Sequence, residues 1–137
     1  MHTDKILYGG DYNPEQWLHM PEILQKDLEY FKKAHVNTVT LGVFSWGALE
    51  PREGEFHFEW LEQQIDTLYQ NGISVILATP SGARPKWLAD RYPEVLRVRE
   101  DRRKMLFGGR ENHCFTSPKY REKVTKIDRE LAKRFGK

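Results

Sequence analysis

A single cysteine, Cys114, is the only thiol in this chain, so no internal disulfide can form and a disulfide-stapled scaffold is excluded. No stretch approaches the ~20 apolar residues that a membrane helix needs, and the opening residues, MHTDKILYGG, lack the apolar run of a signal peptide. An excess of charge is missing too. The 22 basic and 20 acidic residues leave a formal net charge of +2, which gives no electrostatic footprint for nucleic acid. The basic stretch Arg97 to Lys104, RVREDRRK, and the helix near the C-terminus have acidic residues interleaved and no aromatic platform, so both read as solvated faces. Gly/Ser linkers and low-complexity segments are also lacking, and 137 residues make one ordinary domain, 1–137, able to bury a core. These absences point to the cytoplasm, with neither membrane nor nucleic acid as partner.

What is present is an alternation of strands and helices. Ile6 to Gly10 reads as a short strand whose two glycines turn the backbone sharply into the loop Asp11 to Trp17. Pro21 suits a first helical turn, and Leu24, Leu28 and Phe31 make one apolar stripe. Thr38, Val39, Thr40 and Leu41 are β-branched or apolar at every position, as in a strand covered on both faces. A helix with Leu61, Ile65 and Leu68 on its buried face follows and stops at Asn71-Gly72. Ile73 to Ala78 then reads as a third buried strand. The long connection from Thr79 to Phe115 reads as a functional loop. Ser117-Pro118 opens a last helix, with Tyr120, Val124, Ile127, Leu131 and Phe135 buried and Gly136 as its stop. Strands starting near positions 6, 38 and 74 imply a parallel α/β sheet. A period of about 30 residues fits three units of a (β/α)₈ barrel, truncated before strand four.

In such folds the ligand lies beyond the carboxyl ends of the strands, which places Phe44, Ser45 and Trp46 either against substrate or as a plug of the core. Trp17, Trp46 and Trp87 follow strand ends, and indoles stack on the apolar faces of sugars. Arg84 and Arg110 would donate to sugar hydroxyls in the same cleft. Glycoside hydrolysis commonly needs two carboxylates, ~5 Å or ~6.5 to 9.5 Å apart. Asp11, Glu15 and Glu50 lie on strand-end loops, but acidic residues near turns usually cap amides or pair with arginine. Cys114 and His113 do not supply the ligand set of a zinc site. A lone cysteine beside an aromatic is ordinarily a small buried hydrophobe.

Four blocks, GGDYNPEQW (9 to 17), VTLGVFSWGALEP (39 to 51) with GEFHFEWL (54 to 61), GISVILATPSGARPKWLADRYPEVL (72 to 96) and FGGRENHCFTSPKYRE (107 to 122), together resemble the start of the catalytic barrel of family 42 glycoside hydrolases. That resemblance covers essentially the whole chain in order. It implies a β-galactosidase that removes terminal β-linked galactose with retention, through a covalent glycosyl intermediate. It implies that both catalytic glutamates, after strands four and seven, lie beyond Lys137, so this partial barrel domain would be inactive alone. The alternative is a non-catalytic fragment that self-associates or complements a missing partner. The resemblance assigns one residue, Arg110 of the FGGR motif, to the bound galactose, while Trp46 and Trp87 stand as sugar contacts on their indole chemistry and strand-end positions alone. Cys114 matches a cysteine that in some members joins three later ones on zinc, partners missing here, so no cofactor is required. The full-length enzyme is expected to be a homo-oligomer, often a trimer.

Overall fold

The structure, a computed structural model, describes residues 5–109 and 111–136. In chain order its elements are β1 (Asp11–Tyr12), α1 (Pro21–Lys33), β2 (Thr38–Leu41), α2 (Trp46–Leu49), α3 (Glu59–Gln70), β3 (Ser74–Leu77), α4 (Lys86–Arg91) and α5 (Pro118–Phe135). The chain divides into two compact units, the first made of Met1–Val43 with Phe58–Ala78 and the second of Phe44–His57 with Thr79–Lys137.

The first unit carries a parallel sheet in the order β1-β2-β3. Thr38 to Leu41 pair in step with Ser74 to Leu77, and Asp11 and Tyr12 pair with Thr40 and Leu41. The β-branched run of β2 takes the centre, where Val39 and Leu41 are buried, and Gly42 ends it in the left-handed region at φ +91°. On α1 the stripe of Leu24, Leu28 and Phe31 is half-buried. The Tyr12 ring meets Phe31 edge-on at 5.0 Å, and its hydroxyl donates to Asp27. Both helices of this unit end in the same way. Gly72, at φ +75°, lets Ile73 N–H reach back to Leu68 O, and His35, at φ +57°, lets Val36 N–H reach Phe31 O. The Asn71-Gly72 stop is therefore found as expected, whereas His35 performs the same turn without a glycine to announce it.

Three expectations for this unit are corrected. The first strand lies at Asp11–Tyr12 rather than Ile6 to Gly10, although Tyr8 O and Gly10 O already accept β2 amides. Gly9 and Gly10 do not turn the chain. A Cβ on Gly9 would stand 1.7 Å from Thr38 O, so Gly9 allows close backbone approach, while Gly10 faces open space. Nor is β3 buried: Ser74 and Ile76, alternate residues on one face of the sheet, are exposed, Ile76 by 51%.

The second unit fills the supposed long loop with structure. Pro80–Gly82 and Pro93–Val95 are 3₁₀ turns flanking α4, whose Leu88 and Ala89 are buried. Isolated antiparallel bridges join Leu96 to His113 and Val98 to Lys104. Ser117 caps α5 as expected, its hydroxyl accepting Tyr120 N–H at 3.3 Å, with Pro118 in the first turn. Tyr120, Ile127 and Leu131 form the fully buried part of the α5 stripe.

Candidate functional site

All the tryptophan, arginine and cysteine candidates except Trp17 belong to the second unit, and Glu50 organises their surroundings. Its side chain is 2% exposed. Oε2 accepts the Trp46 indole N–H at 2.8 Å, and Oε1 accepts Gly54 N–H at 2.7 Å, where Gly54 turns the chain at φ +83°. The Glu50 carbonyl accepts the Trp87 indole N–H at 2.8 Å. One residue thus ties α2, the turn after it and α4 through three N–H donors. This gives Glu50 the amide-holding duty that its position near a turn suggested.

The same bonds locate the two sugar-stacking candidates. Trp46 is completely enclosed, with its ring 6.2 Å from that of Tyr120. In this arrangement it is the core plug of the two readings open for it, with no ring face toward solvent. Trp87 is half-buried, so part of its ring stays accessible while its N–H is fixed. Arg110 lies outside the described residues. The residues around it are ordered by backbone and side-chain bonds: Arg97 N–H donates to Asn112 O, Asn112 Nδ2 to Leu106 O, and Cys114 N–H to Val95 O. Gly108 and Glu111 both adopt positive φ, +101° and +54°.

Behind that loop stands an aromatic stack. The His113 ring is 0% exposed and lies 4.2 Å from the Tyr120 ring at an interplanar angle of 18°, with Phe115 edge-on at 4.7 Å. The Tyr120 hydroxyl donates to Ser81 O at 2.9 Å, and burial pushes the phenol up to about 12. Burial, reinforced by the Arg84 charge and opposed by Glu111, holds His113 below its ordinary 6.5. As pH falls through 6.5 the unfolded chain takes up a proton that the folded His113 resists. Its stabilising contribution is therefore complete above that value and lost below it. Thermal unfolding should show a lower midpoint at pH 5 than at pH 7, and His113→Phe should flatten this part of the profile.

A second polar cluster holds α4 and α5 to the turn after α2. Glu53 accepts from the Tyr92 hydroxyl, from Arg91 at 2.6 Å and from Lys123 at 2.8 Å, and these partners, Lys123 first, depress its pKa. The sequence marked Tyr120 only as a position of the α5 stripe and did not single out Glu53.

Cys114 is half-exposed. Its sulfur lies 3.1 Å from the Thr116 hydroxyl, and that bond, with the Thr116 backbone, lowers the thiol pKa. No group of three His, Cys, Asp or Glu side chains among the described residues could hold a metal ion. In the first unit Asp11 is exposed and Glu15 half-buried, and burial raises the Glu15 pKa. No helix among the described residues is long and apolar enough to cross a membrane.

A family model described as β-galactosidase, that of glycoside hydrolase family 42, matches residues 11–137. The chain is 58% identical over 131 residues to the β-galactosidase GalA of Bacillus licheniformis and 56% identical to GanA of Bacillus subtilis, covering 96% of itself and 20% of each relative. Among solved structures it is similar to a family 42 β-galactosidase of G. stearothermophilus, with 62% identity and a TM-score of 0.90 over 96% of the chain and 19% of that enzyme. A β-galactosidase from a Rahnella species gives 55% identity and the same TM-score, with 96% and 20% covered. The chain thus spans about a fifth of the length of the relatives it matches.

Proposed function

Because the chain belongs to the family 42 glycoside hydrolases, we propose that it forms the first three strand-helix units of a (β/α)₈ barrel whose complete form hydrolyses terminal β-linked galactose with retention. The observation that carries this is the match of 96% of the chain to solved β-galactosidases at a TM-score of 0.90. The parallel order β1-β2-β3, with a helix after each of the first two strands, supports it, since sequential parallel strands joined by helices are the unit of such a barrel. The substrate is a β-galactoside, and Arg110, with the accessible part of Trp87, is proposed to contact it. Trp46 acts from behind, fixing Glu50 and the α2 turn.

The catalytic pair of carboxylates is assigned to the part of the longer protein that this chain does not include. Glu50 has both oxygens committed to N–H donors, which supports that assignment. Purified chain should therefore hydrolyse a chromogenic β-galactoside no faster than its Arg110→Ala variant. Turnover that disappears in that variant would overturn the reading and make Glu15 and Glu50 the first carboxylates to test. Zinc does not fit the described donor set: Cys114 is one ligand beside a hydroxyl, and a closed site needs four. The complete enzyme is read as a homo-oligomer, on the family resemblance alone.

The partial barrel is proposed to self-associate. Sheet edges with free backbone groups template pairing, and β3 presents such an edge with Ile76 exposed. Sedimentation velocity should show mass rising with concentration, and Ile76→Lys should shift the population toward monomer. A wild-type monomer across the whole range would rule this out.

A further inference from the structure

One buried cation in the second unit, offered by the sequence as a donor to sugar hydroxyls, makes no hydrogen bond among the described residues. Arg84 is 7% exposed, and Nε, Nη1 and Nη2 all lack a hydrogen-bond partner among the described residues. The Phe107 ring covers the guanidinium, its centroid 4.7 Å from the central carbon. A π face attracts the charge but cannot accept the N–H groups that radiate in the guanidinium plane. Asp90, the carboxylate whose charge is felt at Arg84, is itself ion-paired with Lys86. The fully buried His113, whose ring nitrogens are also unpartnered, feels the Arg84 charge as well. A buried cation with three unpartnered nitrogens is strongly unfavourable unless something pairs with it.

We propose that Arg84 is a receptor for one carboxylate monoanion, gripped by the guanidinium fork, with Phe107 as its displaceable cover. The fork matches a carboxylate with two parallel N–H bonds, which a single hydroxyl cannot reproduce. Charge selects the same class. His113 is held toward its neutral form, so the site carries one positive charge. A sugar hydroxyl would leave that charge uncompensated, and a phosphate dianion would leave a buried negative charge. Phe107 is 55% exposed, on the run 105–109 that has neither helix nor continuous strand, so moving its ring aside forfeits little burial. The rival inside the chain is Glu111, an exposed carboxylate whose charge reaches His113.

The test is thermal unfolding of the full 137-residue chain in sodium acetate and sodium chloride at matched ionic strength and pH 7. Acetate should raise the midpoint by roughly 3 to 6 °C over chloride. Arg84→Met should abolish the acetate response while raising the midpoint in chloride, because it deletes the unpaired charge. Phe107→Ala should move the response to lower acetate concentration, which keeps the test decisive if Arg84→Met does not fold. A dilution series separates the sources. A free carboxylate gives a response independent of protein concentration, whereas a carboxylate from a second copy gives a concentration-dependent midpoint that acetate competes away. Equal responses to acetate and chloride, an acetate response surviving in Arg84→Met, or one unchanged in Phe107→Ala would overturn the proposal. So would Glu111→Gln lowering the chloride midpoint by several degrees, since Glu111 would then already fill the site. None of these readouts involves galactoside hydrolysis, so the outcome is independent of the barrel assignment.

Discussion

Glu50→Ala is expected to destabilise the second unit by about 3 to 5 kcal/mol, the loss of two charge-assisted hydrogen bonds from a buried acceptor. The variant leaves the Trp46 indole N–H and the Gly54 amide facing a cavity, and Trp46 is 0% exposed, so no water relieves it without disturbing the packing. Glu50→Gln keeps an acceptor for one donor but turns its amide nitrogen toward the other, so it should cost roughly half as much. Urea denaturation followed by tryptophan fluorescence measures both, because Trp46 and Trp87 are each bonded to this residue. A Glu50→Ala midpoint within the error of the wild type would show that these bonds are dispensable. It would also return Glu50 to the list of carboxylates free for chemistry.

Gly9→Ala should also be damaging, in the first unit. The added methyl would stand 1.7 Å from the Thr38 carbonyl oxygen and 2.9 Å from its carbon, and these are backbone atoms that cannot swing away as a flexible side chain would. The strand leading into β1 must then move off β2, breaking the Asn37 and Thr38 amide bonds to Tyr8 O. Overpacking of this kind costs about 1 to 3 kcal/mol and sometimes more. Gly10→Ala is the matched control. Nothing lies within 4 Å of its Cβ, and φ there is not positive, so it should be neutral or slightly stabilising through the unfolded chain. Circular dichroism melts of the two variants side by side make the comparison, and equal midpoints would refute the close-approach account of Gly9.

Much of the fold was legible because its signals are local. The run TVTL became β2, the stripes of α1, α3 and α5 appeared at their helical spacing, and Ser117 and Gly72 stand at the helix ends where their side chains, or the lack of one, place them. Short elements were not legible. α4 has one buried turn inside a stretch rich in proline, and α2 begins where Gly42 bends a run that alternation would have continued as strand. His35 adopts a left-handed conformation that its residue type does not advertise.

The candidate site divides along the same line. Residue types and their order offered Arg110 and Trp87 as sugar contacts and argued against Glu15 and Glu50 as a catalytic pair. Only the tertiary structure decided that Trp46 is enclosed rather than presented, that Glu50 serves three N–H donors, and that Arg84 is buried without a partner. The physical reason is that strand, helix and cap preferences act between residues a few positions apart, so the sequence states them directly. Burial and hydrogen-bond pairing, as in Glu50 with Trp87 or Ser81 with Tyr120, join groups almost forty positions apart, and they exist only once the chain has folded them together.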